Sequence, residues 1–264
     1  MKTLAQQWSR YLIYFILATL PLERIPALNL NMGAAEITIR LSQVAGLLLI
    51  AINLPLLWAR RHQLIKSPWR WLGLFLFVAI LSAGLARDPA EGLLVTAYTA
   101  FVAALAWTIA NRLEPSKLPV YGRVLIVSAL AATAFGFFQF FADLVGLPTS
   151  ITGLRPHYTK AVFGFPRIQS TALEPLYFAN YLLIPVALAG SHYVWGKRMR
   201  WWWSLLPLLT ALWLTLSRGA FAGMVVLVLI LGATAVVVKH YRQLLGLVGA
   251  VIMTIGLAVG LIAL

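Results

Sequence analysis

Nine apolar runs, near 8–24, 37–59, 69–86, 92–111, 121–147, 171–194, 201–217, 219–238 and 244–264, take up most of this chain. Each is at or close to the roughly 20 residues that carry a helix across the hydrocarbon of a bilayer. The runs are continuous rather than alternating, and a segment in lipid must satisfy its own backbone hydrogen bonds, so helices are expected and strands are not. The expected fold is all-α: a polytopic integral membrane helix bundle of about nine transmembrane helices, forming one transmembrane domain over 1–264. Charged residues make up only 11% of the chain. A soluble domain carries about a quarter, so an ordinary water-soluble fold is excluded.

The formal charge of +14 has its cations in short clusters between the apolar runs. In that arrangement a basic balance sets topology, and nucleic acid is not an expected partner. With the N-terminus inside and an alternating nine-span path, 14 of the 21 Lys and Arg fall inside. The seven outside are Arg24, Arg40, Arg87, Arg155, Lys160, Arg167 and Arg218. Trp201, Trp202 and Trp203 follow the basic stretch GKRMR as an aromatic belt at the inner interface would. The first run follows Lys2 and Arg10 with no small-x-small cleavage site after it, which makes it a retained span. The chain reaches Leu264 without a polar tail, so it is expected to be the N-terminal portion of a longer protein with a further outward loop and more spans.

This path turns the loop 147–170 and the short Ser217 to Gly219 turn to the same outer face. Charged side chains beside hydrocarbon are costly, so those at outer helix ends either snorkel to the interface or meet a ligand. Arg218, in LTLSRGAFAG, stays at the surface and can pair a phosphate through two parallel hydrogen bonds. Arg167 closes an outward loop that also holds Arg155, His157 and Lys160, a cationic group suited to an anion or to lipid head groups. Glu174 enters the sixth run before Pro175, where a helix start favours a carboxylate; it is a cap, an Arg167 partner or a site residue. Arg40 begins the second run and joins the same basic rim or snorkels. Asp143 is a weaker candidate. His157, the one outward histidine, has the pKa range of a general base, although a solvated loop histidine looks the same in sequence.

Several chemistries are disfavoured. There is no cysteine, hence no disulfide, thiolate nucleophile or thiol metal site. Asp88 and Asp143 are the only aspartates and no histidines have ligand spacing, so no metal and no cofactor are expected. Walker, dinucleotide-glycine and nucleophile-elbow motifs are missing.

Three stretches, ITIRLSQVAGLLL, FPRIQSTALEPLYFANYLLIPVAL and LTLSRGAFAGMVVLVLI, together resemble the O-antigen ligase and polymerase superfamily of the bacterial inner membrane. The resemblance implies inverting, metal-independent glycosyl transfer on the periplasmic face. Its implied donor is an undecaprenyl-diphosphate-linked glycan, and its acceptor a lipid or another glycan. It assigns Arg167 to the outward arginine before the sixth span and Arg218 to the Ser-Arg-Gly position, with membrane lipids as the surroundings. The ligases' catalytic base is proposed to be a histidine in a large outward loop, which this chain lacks up to Leu264. The rival expectation is a transporter or flippase of lipid-linked glycan or another anionic substrate, which calls for polar groups at mid-span depth and broken helices in two related halves. A non-catalytic membrane scaffold is the third.

Overall fold

The computed structural model describes residues 2–24, 27–32, 35–62, 69–155, 167–195 and 202–262. Among these residues nine long helices stand where the nine apolar runs lie. They are α1 (Lys2–Thr19), α2 (Leu41–Ala59), α3 (Trp69–Gly84), α4 (Pro89–Arg112), α5 (Leu118–Leu144), α6 (Pro175–Trp195), α7 (Trp202–Leu214), α8 (Arg218–Val237) and α9 (Tyr241–Ile262). Five segments, α2, α4, α8, α9 and the stretch Pro115–Leu144 that contains α5, are long and apolar enough to cross a membrane. α3 and α7 are apolar but shorter.

One element departs from the all-helical expectation. Strands β1 (Ala27–Met32) and β2 (Ala35–Arg40) pair antiparallel, from Ala27 opposite Arg40 to Met32 opposite Ala35. The second apolar run was expected to be helical from residue 37. Instead the β-branched alternation in EITIR suits a strand, and α2 starts only at Leu41. Arg40 is thus the last strand residue rather than the first residue of a span.

The chain divides into two compact units, Met1–Ile16 with Leu41–Leu118, and Leu17–Arg40 with Pro119–Leu264. In the first, α4 packs against both α2 and α3. Asp88 caps α4 by accepting from the Ala90 and Glu91 amides, and Pro89 takes the first helical position, where its missing N–H costs nothing. Polar ties join the helices. Buried Asn53 donates to Ser9 Oγ at 2.9 Å and accepts from Arg112 Nε, and Arg10 bonds Glu114 at 2.8 Å. Hydrogen bonds from Arg10 and Gln6 hold the Glu114 carboxyl below its ordinary range.

In the second unit α7 lies at the centre, against α6 and α9. Leu205, Leu208, Leu209, Ala211, Leu212 and Leu214 are all fully buried, as expected of a helix apolar on every side. Thirteen residues reach only about 20 Å at 1.5 Å per residue, less than the roughly 30 Å of a bilayer's hydrocarbon core. α6 and α8 meet through reciprocal small-residue notches: a Cβ on Gly190 would lie 2.8 Å from Leu231 Cδ1, and one on Gly223 2.8 Å from Leu183 Cδ1. Close backbone approach of this kind is how apolar helices associate without a hydrophobic driving force. Gly190→Val and Gly223→Val should each cost about 1–3 kcal/mol by overpacking, read as a lowered Tm in detergent. Gly249→Ala on α9, where an added Cβ meets nothing within 4 Å, should hold or raise the Tm; a fall as large as that of the other two would count against the notch account.

Candidate functional site

The end of α7 needs capping. A helix leaves its last carbonyls without intrahelical donors, and here the chain turns sharply at Leu216, in the left-handed region with φ 50°. Three successive carbonyls are taken up by one short segment. Ile168 N–H donates to Leu214 at 3.1 Å, Arg167 Nε to Thr215 at 2.8 Å and Arg167 Nη2 to Leu216 at 3.3 Å. A guanidinium suits this position because it offers several donors in a fixed fork and its charge complements the negative end of the helix dipole. The same turn continues into Ser217, whose Oγ accepts from the Ala220 amide at 3.5 Å and caps α8. Arg167 therefore stands at the turn whose next residue but one after Leu216 is Arg218.

Arg218 is the first residue of α8 and is exposed. A cation at a helix N-terminus opposes the dipole, and the first turn of α8 has no acidic residue to offset it. The amides of that turn and the guanidinium are together suited to an anion. The start of α6 lies alongside: a Cβ on Gly219 would be 3.9 Å from Leu176 Cδ1. Glu174 precedes Pro175, and its carbonyl accepts from the Tyr177 and Phe178 amides, so it is the entry residue of α6.

Segment 167–174 is a spine rather than a solvated loop. Ile168, Gln169 and Ser170 are buried at 0–1% exposure. Ile168 sits in a notch on α5, where a Cβ on Gly136 would come within 2.6 Å of its Cγ2. Ser170 adopts φ 55° and donates to Ala132 at 2.6 Å; Gln139 donates to the Thr152 and Ser170 carbonyls. Gln169 donates to Ala172 and Leu173 while accepting from the Arg155 amide at 3.3 Å. Glu23 accepts from the Leu173 amide at 3.0 Å and pairs Arg40 at 3.6 Å. The Arg24 amide donates to Thr171, and its guanidinium donates to the Gly153 carbonyl at 2.6 Å.

Burial is the main cause that pushes the Arg167 guanidinium below its ordinary pKa, and the Glu174 carboxylate opposes it. Burial followed by the charge of Arg155 lowers Arg24. An arginine starts so far above neutrality that both remain cationic, and an anion would relieve the repulsion between Arg24 and Arg155.

The structure thus brings Arg167, Glu174 and Arg218 to one corner, and ties Arg155 and Arg40 to the same spine through Gln169 and Glu23. His157 and Lys160 lie outside the described residues. Neither family models, curated proteins nor solved structures match this chain. The site consequently stands on its own geometry. Sequence reasoning passed over Glu23 and weighed Arg24 only for topology. The adjacent opposite charges in LERIP, at the end of an apolar run, were the available signal. Gln139 and Gln169 gave none, because only tertiary packing shows that an amide is buried. Asp143, weighed as a weaker candidate, is buried in the last turn of α5.

Proposed function

We propose that this chain is a membrane glycosyltransferase of O-antigen ligase or polymerase type, with nine spans, an inside N-terminus and its site on the outer face of a bacterial inner membrane. It transfers or polymerises an undecaprenyl-diphosphate-linked glycan onto a lipid or glycan acceptor, with inversion and without a metal. The reading rests on the resemblance of its three stretches and, in the structure, on one observation. Arg167 spends part of its donor fork on the carbonyls of the turn that presents Arg218, so two guanidinium groups share that turn.

The chemistry that suits such a corner is departure of a diphosphate. The acceptor oxygen attacks the anomeric carbon from the face opposite the leaving group, and the bond from that carbon to the phosphate oxygen breaks with its electrons going to the diphosphate. Arg218 and Arg167 stabilise the charge that builds there. The acceptor hydroxyl's proton passes to a base, for which Glu174 and His157 are the local groups. Arg40, Arg155 and Lys160 hold the phosphates or glycan.

The test is transfer of a radiolabelled lipid-diphosphate glycan in inner-membrane vesicles. Arg167→Lys keeps the charge but cannot cap two carbonyls and still present a fork, so its transfer should fall nearly as far as that of Arg167→Ala. Wild-type transfer by the lysine variant would remove the bidentate role. Movement of the labelled lipid across proteoliposomes with no new glycosidic bond would put the flippase reading in its place.

A further inference from the structure

The first unit contains a slot between α3 and α4 that the glycan reading does not use. It is a cavity of about 460 Å³ lined by Trp69, Arg70, Gly73, Leu76, Ala103 and Trp107, among others. That volume lies in the range of about 300–1,000 Å³ that holds one compact ligand. The two helices run antiparallel, so Trp69 of α3 and Trp107 of α4 flank one end, and Leu76 and Ala100 mark the other. The seven residues between Trp69 and Leu76 make the slot about 10 Å long at 1.5 Å per residue. Small side chains form its floor. A Cβ on Gly73 would meet nothing within 4 Å, so the space beside it is open rather than filled by a neighbour.

Among the described residues that line it only one end carries a charge, and it is basic. Arg70 lies at the mouth, its guanidinium 5.0 Å from the centre of the Trp71 ring. Arg60, just after α2, donates to Asn111 Oδ1 at 2.7 Å, and Asn111 donates to the Trp107 carbonyl at 2.8 Å, so a second arginine is held one helical turn beyond Trp107. The carboxylate nearest in sequence to that end of α4, Glu114, is already bonded by Arg10 and Gln6. An apolar slot about 10 Å long, framed by tryptophans, with Arg70 at one end and Arg60 one helical turn further on, matches the part of an acyl chain next to a negatively charged head group.

We propose that this slot is a binding site for an anionic phospholipid, with an acyl chain between α3 and α4 and its phosphate paired by Arg70 and Arg60. The tryptophans set its depth at the interface, and the missing side chain of Gly73 makes room for the chain. This assignment is independent of the glycosyltransferase reading, because none of these residues belongs to that site.

The test is native mass spectrometry of the detergent-purified protein titrated with dioleoyl-phosphatidylglycerol or dioleoyl-phosphatidylcholine, beside the Tm in each lipid. Wild type should retain one phosphatidylglycerol in preference to phosphatidylcholine. A charge near the surface is worth about a fivefold preference, so Arg70→Gln should cut the selectivity by about that factor. Gly73→Leu, which fills open space rather than meeting protein atoms, should abolish the adduct of either lipid while keeping the Tm in detergent alone. Equal retention of the two lipids by wild type overturns the proposal, as does an adduct unchanged in both variants. Should Gly73→Leu lower the Tm, Arg70→Gln decides the outcome by itself, since it replaces an exposed side chain.

Discussion

Replacing Arg218 by alanine should lower glycan transfer by about 10²–10³-fold, the loss of some 2.7–4 kcal/mol found when one preorganised donor to a developing anion is removed. Membrane levels and Tm should stay at wild type, because the side chain is exposed and removing a cation from a helix N-terminus relieves the dipole rather than opposing it. That separation of activity from stability distinguishes the site from its plain alternative. A snorkelling arginine that only marks the membrane surface would leave transfer untouched when removed. Arg218→Lys should recover only part of the loss, since an ammonium offers a point charge without the planar fork. Transfer at the wild-type rate in Arg218→Ala would exclude Arg218 from the chemistry.

The largest effect on stability should come from Gly136→Val. The new Cβ would lie 2.6 Å from Ile168 Cγ2, and Ile168 has little room to retreat: its side chain is fully buried and its amide is bonded to the Leu214 carbonyl. Overpacking of a core usually costs about 1–3 kcal/mol. Here the strain falls on the segment that caps α7, so the Arg167 hydrogen bonds to Thr215 and Leu216 should weaken with it. Transfer should decline in the same variant although Gly136 is about two helical turns or more from either end of α5. Adding Ile168→Ala should restore part of the Tm, since two residues in contact do not act additively. A Tm that drops no further in Gly136→Val than in Gly249→Ala would show that the spine is not pressed on α5.

Some of this was legible in the chain. Nine apolar runs located nine helices, eight of them to within about four residues and the first to within six, because an apolar stretch of about 20 residues has few alternatives to a helix. Pro175 at the start of α6 and Ser217 as the cap of α8 were likewise local matters of a missing N–H and a short side-chain acceptor. The hairpin at 27–40 was missed because the end of its second strand was absorbed into the apolar run from 37, and its first strand fell in the gap between two runs.

The sequence by itself determined the helices, the local caps of α4 and α8 and the placing of cations at helix ends, since each depends on residues within a turn or two of one another. Only the tertiary structure decided that Arg167 caps α7 instead of standing in a solvated loop, that segment 167–174 is a buried spine, and that Glu23 and Arg24 are tied to it. Those contacts join residues 14 to 150 positions apart. Their partners are backbone carbonyls and amides that every sequence possesses, so no residue type announces them. Which carbonyl is left without a donor depends on where a helix ends and what packs over it, and that is settled only when the chain has folded.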